Sequence, residues 1–400
     1  MPTFELANTS GAAASLAPSD SVFFTPAGVV SSPTGQADAD LRAIARSAYT
    51  LAKLLIRVLV NDTTADSTAR SRNQGANGNQ SATVGAGLTG TFQDTVNTDA
   101  IASGDAFNGS LVVGSGGSQF DLNYLGWTLA HASADDSILM SSAPNGGQSW
   151  PTAVRWGFPA GQSVNQTPED SYALTFRMAA TLSNLRVSVD SNTTLVDETL
   201  TSRQNLGAGA QTLTVTAGAT GGFEDTTNTD SLVAGDEWDY EMSAETGAGG
   251  IQYQYTQAKC LATHRIRATT GNVAFAADSF MHVEGNNQAV LGAESTSQAE
   301  VRAGFNAEFG YVRVPTHGAT SGVDFFLRKD GANTALTMNA PASTTGTFED
   351  TTNSVALVTG DDYGWFLDHG GGAGSITTSM VSLSGDAVPA AARSRVLTAV

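Results

Sequence analysis

The sequence predicts an all-β protein made of three tandem antiparallel β-sandwich or jelly-roll units. Three observations predict it. A 16-residue pattern occurs three times, as GTFQDTVNTDAIASGD at 90–105, GGFEDTTNTDSLVAGD at 221–236 and GTFEDTTNSVALVTGD at 346–361. The composition is rich in Gly (43 residues) and poor in charge (14%), short of the Lys and Glu that helices favour. Runs such as LRVSVD, QTLTVTAG and GIQYQYTQ alternate apolar and polar residues between Gly, Asn and Asp clusters, the pattern of half-buried strands joined by turns.

The block anchors on Phe92, Phe223 and Phe348, which lie 131 and 125 residues apart. Upstream, LLIRVLVNDTT (54–64), SNLRVSVDSNTT (183–194) and GYVRVPTHGATS (310–321) align around Arg57, Arg186 and Arg313. Further upstream FTPAG (24–28) matches GFPAG (157–161). The expected units are 1–131, with an N-terminal arm over about 1–35, then 132–263 and 264–400. No Pro-rich or charged linker divides them, so they should pack together.

Each block ends on a Gly–Asp step: Gly104–Asp105, Gly235–Asp236 and Gly360–Asp361. Gly permits a tight bend and Asp can accept backbone N–H groups in it. One segment resists the β reading. Residues 37–60 place Leu41, Ile44, Ala48, Leu51 and Leu55 at helical spacing, with Asp38 or Asp40 as cap. From about residue 54 the repeat makes it a strand; over 38–52 helix and strand stay open.

Net charge is −19, which excludes a basic nucleic-acid-binding face. No apolar run reaches the length of a membrane span. The N-terminus shows no export signal, so a role outside a cell would require another route of release, such as lysis. The single cysteine, Cys260, excludes an intrachain disulfide and a Cys-based zinc site; a buried apolar role is expected.

Catalytic patterns are missing. His131, His264, His282, His317 and His369 form no metal-binding spacing, and no nucleophile elbow, P-loop or dinucleotide fingerprint occurs. Glu224–Asp225 and Glu349–Asp350 are adjacent, so on a strand they face opposite ways and make poor acid–base pairs. A non-enzymatic protein without cofactors is expected. One loop could take an ion: Asp94, Asn97 and Asp99, repeated as Asp225, Asn228 and Asp230, could offer oxygens to calcium. The alternative is that these side chains cap backbone N–H groups as Asx turns. Unit 3 lacks the last Asp, which favours the turns.

The apolar–x–x–Gly–Asp–strand step resembles the jelly roll of the tumour necrosis factor and complement-globular-head superfamily. The fuller pattern, an LRV strand followed by GTFEDTTNTD…AGD, looks like repeats of tailed-bacteriophage virion proteins of decoration and fibre type. The departures are the helix-like stretch at 37–52, Gln93 for Glu, and Ser354–Val355 for Thr–Asp. The resemblance implies a homotrimer or an intramolecular pseudo-trimer, with capsid or tail proteins as partners and a place on the virion surface. It carries over no catalytic residue. The alternative is a receptor- or carbohydrate-binding module for a host surface glycan, which needs an exposed Trp or Tyr cluster. A glycan depolymerase is the third reading and needs two converging carboxylates.

Overall fold

The structure is a computed structural model and describes residues 3–26, 28–29, 38–131, 136–143, 147–157, 159–162, 165–166, 169, 173–244, 249–262, 264–283, 285–286, 294 and 297–387. It is all-β. Six sheets are present, two drawn from each of three successive stretches of chain.

The first unit has eight principal strands: β1 (Thr3–Leu16), β2 (Ser21–Phe24), β3 (Tyr49–Asn61), β4 (Ser67–Asn73), β5 (Ala76–Val84), β6 (Gly90–Ile101), β7 (Ala106–Val112) and β8 (Phe120–Ala130). One sheet has the order β1-β8-β3-β6 and the other β2-β7-β4-β5. Every pairing among these eight is antiparallel, and consecutive strands repeatedly cross between sheets, as in a jelly roll.

The second unit repeats this with β9 (Asp136–Ser142), β10 (Arg155–Gly157), β11 (Ala180–Asn192), β12 (Glu198–Gln204), β13 (Gly207–Val215), β14 (Gly221–Glu224, resumed at Thr229–Leu232), β15 (Glu237–Met242) and β16 (Ile251–Ala262). The third has β17 (His264–Phe275), β18 (Ser279–Met281), β19 (Phe305–Val314), β20 (Val323–Lys329), β21 (Ala332–Ala340), β22 (Gly346–Asp350, resumed at Val355–Leu357), β23 (Asp362–Asp368) and β24 (Ile376–Ala387). Its expected end, 388–400, lies outside the described residues.

Burial follows the alternation that the sequence shows. In β4, β12 and β20 the first, third and fifth residues are buried, in the same phase each time. Ala69, Leu200 and Phe325 thus point into the sandwich while their neighbours face outward.

A two-residue strand in each unit pairs parallel with that unit's first strand: Gly28–Val29 on β1, Gly161–Gln162 on β9 and Gly285–Asn286 on β17. These three pieces also touch one another pairwise. They mark a pseudo-threefold axis, and the chain closes around it as an intramolecular pseudo-trimer.

Two expectations are corrected and one open segment is settled. The N-terminal arm is not an arm where it is described. Thr3–Leu16 runs along Phe120–Ala130, and Ser21–Phe24 pairs with Gly109–Val112, because β8 and β7 would otherwise be left as open edges. Residues 1–2, 27 and 30–35 of that expected arm lie outside the described residues. Residues 38–52 are not one helix. A 3₁₀ turn at Asp38–Leu41 precedes short strand Ala43–Ile44, and β3 begins at Tyr49. Ala43, Ala45, Tyr49 and Leu51 are buried, so the two-residue period of the sheet overrides helix propensity. Third, Arg186 does not align with Arg57 and Arg313. The register opposes Val58 to Gly90, Val189 to Gly221 and Val314 to Gly346, so Ser188 stands where Arg57 and Arg313 stand.

The hairpins β4–β5, β12–β13 and β20–β21 turn through two residues with positive φ. The pairs are Gln74–Gly75, Asn205–Leu206 and Asp330–Gly331, the tight turns that suit a twisted hairpin. Leu206 sits at φ 62° where the other units have Gly. An L side chain there costs about 1–2 kcal/mol. Leu206→Gly is expected to raise the thermal midpoint of the whole chain, read by calorimetry, whereas Gly331→Leu is expected to lower it.

Candidate functional site

The repeated block holds two turns. In the first, Asp94 accepts the backbone N–H groups of Ser81 (2.9 Å), Val96 (3.0 Å) and Asn97 (3.0 Å), and the Asn97 side-chain amide (2.9 Å). Asp225 does the same with Thr212, Thr227 and Asn228, and Asp350 with Thr337, Thr352 and Asn353. These are Asx turns braced on the neighbouring strand. Burial is the largest single influence on the Asp94 carboxyl and would raise its pKa. The hydrogen bonds from Asn97, Ser81 and Val96 together outweigh it and bring the pKa down to about 2. Asp350 falls to about 2 by the same balance, and Asp225 is also lowered.

Asp99 and Asp230 are likewise engaged by donors. Asp99 accepts from Asn79 N (2.6 Å) and the Gln80 amide (3.3 Å); Asp230 accepts from Ala210 N (2.6 Å), Gln211 (2.9 Å) and Trp238 Nε1 (3.0 Å). The oxygens that could serve calcium are therefore aimed at N–H groups. No cluster of three or more His, Cys, Asp or Glu suited to a metal occurs among the described residues.

The second turn is the Gly–Asp step. Gly104, Gly235 and Gly360 have φ of 94°, 98° and 97°. Asp105 accepts Ala102 N (2.9 Å), Asp236 accepts Val233 N (2.9 Å) and Asp361 accepts Val358 N (2.7 Å). The glycine N–H groups donate to Ala45 O, Phe176 O and Val301 O at 2.7–2.8 Å. Those acceptors immediately precede Arg46, Arg177 and Arg302, so the turn anchors the segment that carries each arginine.

These arginines reach into the next unit. Arg46 of unit 1 pairs with Glu224 of unit 2, and Arg177 of unit 2 pairs with Glu349 of unit 3. Arg302 of unit 3 faces unit 1, where Gln93 holds the position of the two glutamates. It donates to Lys53 O and lies 5.9 Å from the Tyr124 ring, while Lys53 Nζ donates to Arg302 O at 2.7 Å. The acceptor position is the residue after Phe92, Phe223 or Phe348. One block thus places both halves of the Arg46–Glu224 and Arg177–Glu349 seams.

A second charge position flanks the first. Arg313 pairs with Glu237 at 2.5 Å across the unit 2–unit 3 seam. Arg57 donates to Gln298 O at 3.0 Å and lowers the Asp362 carboxyl across the unit 3–unit 1 seam, although burial, the larger effect, leaves that group raised. At the unit 1–unit 2 seam both partners are neutral, Ala106 and Ser188. Polar bonds stand in nearby: Gln257 Nε2 donates to Ile44 O (2.8 Å), and Asp136 accepts Tyr49 Oη (2.8 Å), Ser47 Oγ (2.5 Å) and Lys259 Nζ (3.1 Å).

A further repeated pair was missed in the sequence. Arg72, Arg203 and Arg328 clamp Asp38, Glu169 and Glu294, each as two-pronged bonds of 2.5–3.2 Å. The signal was an Arg two or three residues before each hairpin turn, in SRNQG, SRQNLG and LRKDG.

Trp127, Trp150, Trp238 and Trp365 are buried and Trp156 is partly buried; Tyr49, Tyr124, Tyr240, Tyr253, Tyr255, Tyr311 and Tyr363 are buried. Among the described residues no exposed Trp or Tyr platform of the kind a glycan-binding module needs is formed. Glu224 and Glu349 are spent on arginines of the neighbouring unit and do not converge as an acid–base pair. Cys260 is buried.

No family model matches the sequence, and no curated protein matches it. Among solved structures, the chain is similar to one described under the triple jelly roll fold and turret assembly in an archaeal virus. The identity is 9%, with 95% of this chain and 94% of that chain covered and a TM-score of 0.20. A likeness at that score carries no functional argument.

Three outcomes are expected. Asp225→Ala leaves four part-buried amide donors without their acceptor and should destabilise by about 1–3 kcal/mol, with no response to added calcium or chelator in either protein. Because Asp94, Asp225 and Asp350 are depressed in the folded state, their contribution is present above the unfolded Asp value and is lost as pH falls toward about 2, which acid titration of unfolding reads. Across the seam, Arg177→Glu should cost about 2 kcal/mol, and adding Glu349→Arg should restore much of it in a double-mutant cycle.

Proposed function

We propose that this chain is a non-enzymatic structural component of a virus particle, mounted on the particle surface as a single-chain pseudo-trimer. The observation that carries the proposal is the closed ring of three jelly rolls joined by three seams of the same geometry. Jelly rolls occur as viral capsid domains, as lectins and as cupins. The lectin role wants exposed Trp or Tyr side chains, and the described ones are buried or partly buried.

The repeat resemblance points to a capsid decoration protein or a fibre or spike component, and the ring favours decoration. Three similar units about one axis fit a threefold or pseudo-threefold site with one molecule. A fibre built from three parallel chains would stack like units on like units. Here each unit's partner is the next unit of the same chain. Capsid or tail proteins are the partners proposed, with acidic, Gly- and Thr-rich loops turned toward solvent and no part for nucleic acid or membrane.

The test is light scattering on a sizing column, followed by the stoichiometry of purified particles. A compact species of one chain, near 41.0 kDa, bound at one copy per threefold site, is expected. An elongated species of three chains would overturn the decoration reading, and absence from purified particles would overturn the virion reading.

A further inference from the structure

Unit 2 buries one carboxyl that no donor satisfies among the described residues. Asp239 on β15 is 1% exposed, and neither of its oxygens has a hydrogen-bond partner there. Its cross-strand neighbour is Arg203. That guanidinium is engaged elsewhere, by Glu169 (2.8 and 3.0 Å), Glu241 (3.2 Å) and Leu206 O (2.5 Å).

The other units show what the position is for. Asn108 faces Arg72 in unit 1, and Gly364 faces Arg328 in unit 3, in the same register. Asn108 uses its amide as a donor, from Nδ2 to Asp38 Oδ1 at 2.9 Å. Glu169 stands at the place of Asp38. An ionised Asp239 could only repel Glu169; a protonated one has an O–H to give it, as Asn108 gives its N–H.

The charged groups around Asp239 come from four elements. Glu169 lies on the segment before β11, Arg203 on β12, Glu237 and Glu241 on β15 itself, and Arg313 on β19 of unit 3. Burial is the largest influence and raises the Asp239 pKa well above the ordinary value. Glu169 raises it further, Arg203 lowers it, Glu237 raises it, and Arg313 lowers it.

We propose that Asp239 is a neutral carboxylic acid in the folded chain at neutral pH, donating toward Glu169 in the role Asn108 plays in unit 1, and that its ionisation is a base-sensitive release built into unit 2. Loss of the proton puts an unpaired negative charge beside Glu169 and Glu237. That loosens the Glu169–Arg203 clamp and the Glu237–Arg313 pair, which holds unit 2 to unit 3. The sign follows from the raised value: the contribution is full below the unfolded Asp pKa and is lost as pH rises through the folded one. This goes beyond the virion reading and does not depend on it.

The test compares thermal midpoints of the full chain and Asp239→Asn from pH 4 to pH 9, together with the infrared C=O band of a protonated carboxylic acid. The wild-type midpoint should fall with rising pH over a range where the variant stays level, and the band should vanish in the variant. Parallel profiles, or no such band in the wild type at neutral pH, would overturn the proposal. Should Asp239→Asn fail to fold, Glu169→Gln reads the same switch by removing the repelling charge. A weaker fall supports it, and an unchanged profile counts against it.

Discussion

No unit of this protein finishes its own core. The core of unit 1 takes in Ile138, Met140 and Tyr255 of unit 2; that of unit 2 takes in Ala268, Tyr311 and Met380 of unit 3; that of unit 3 takes in Leu55 and Tyr124 of unit 1. Tyr124, Tyr255 and Met380 are register equivalents on β8, β16 and β24, opposite Arg57, Ser188 and Arg313. Each sandwich therefore presents an apolar sheet face that only the next sandwich covers. Burying such side chains contributes about 1.5–3 kcal/mol apiece, so the ring must close for any one unit to be stable.

The polar groups follow from that closure. A head-to-tail interface that turns through a third of a circle closes after three steps, and a single chain can supply all three. Once closed, the seams need not be identical. At the second charge position the two members change together: Glu237 with Arg313, Asp362 with Arg57, and Ala106 with Ser188. Three copies of unit 1 around one axis would set Arg57 against Ala106. Three copies of unit 2 would set Glu237 against Ser188. A part-buried charge left without a partner is costly, so the charges reject like-with-like assembly of those units.

Much of the fold was legible because it repeats. The 16-residue block fixes the Asx turn, the Gly–Asp turn and strands β6, β14 and β22. What the block is for was not legible, because its two seam groups belong to different neighbours. Glu224 answers Arg46, 178 positions away, and no local pattern connects them. The Arg186 alignment failed for a related reason. An LRV triplet suits any half-buried strand, and only the pairing to Gly221–Glu224 shows that Arg186 sits two residues early. Residues 38–52 stayed open between helix and strand because Leu41, Ile44, Leu51 and Leu55 fall at the helical period, while their burial is decided by β7 and by unit 3, which the segment itself does not encode.

Fusion of three units into one chain also explains where the sequence departs from itself. In a homotrimer, one Leu at a left-handed turn position or one carboxyl in a buried site would appear three times, and so would its cost. In this chain Leu206 and Asp239 each occur once, in unit 2, while units 1 and 3 keep Gly and Asn or Gly at those places. The strand phases that shape the outside remain the same in all three units. At the seams and at Asp239 only neighbours within the chain feel the divergence, whereas Leu206 stands half-exposed in its hairpin turn.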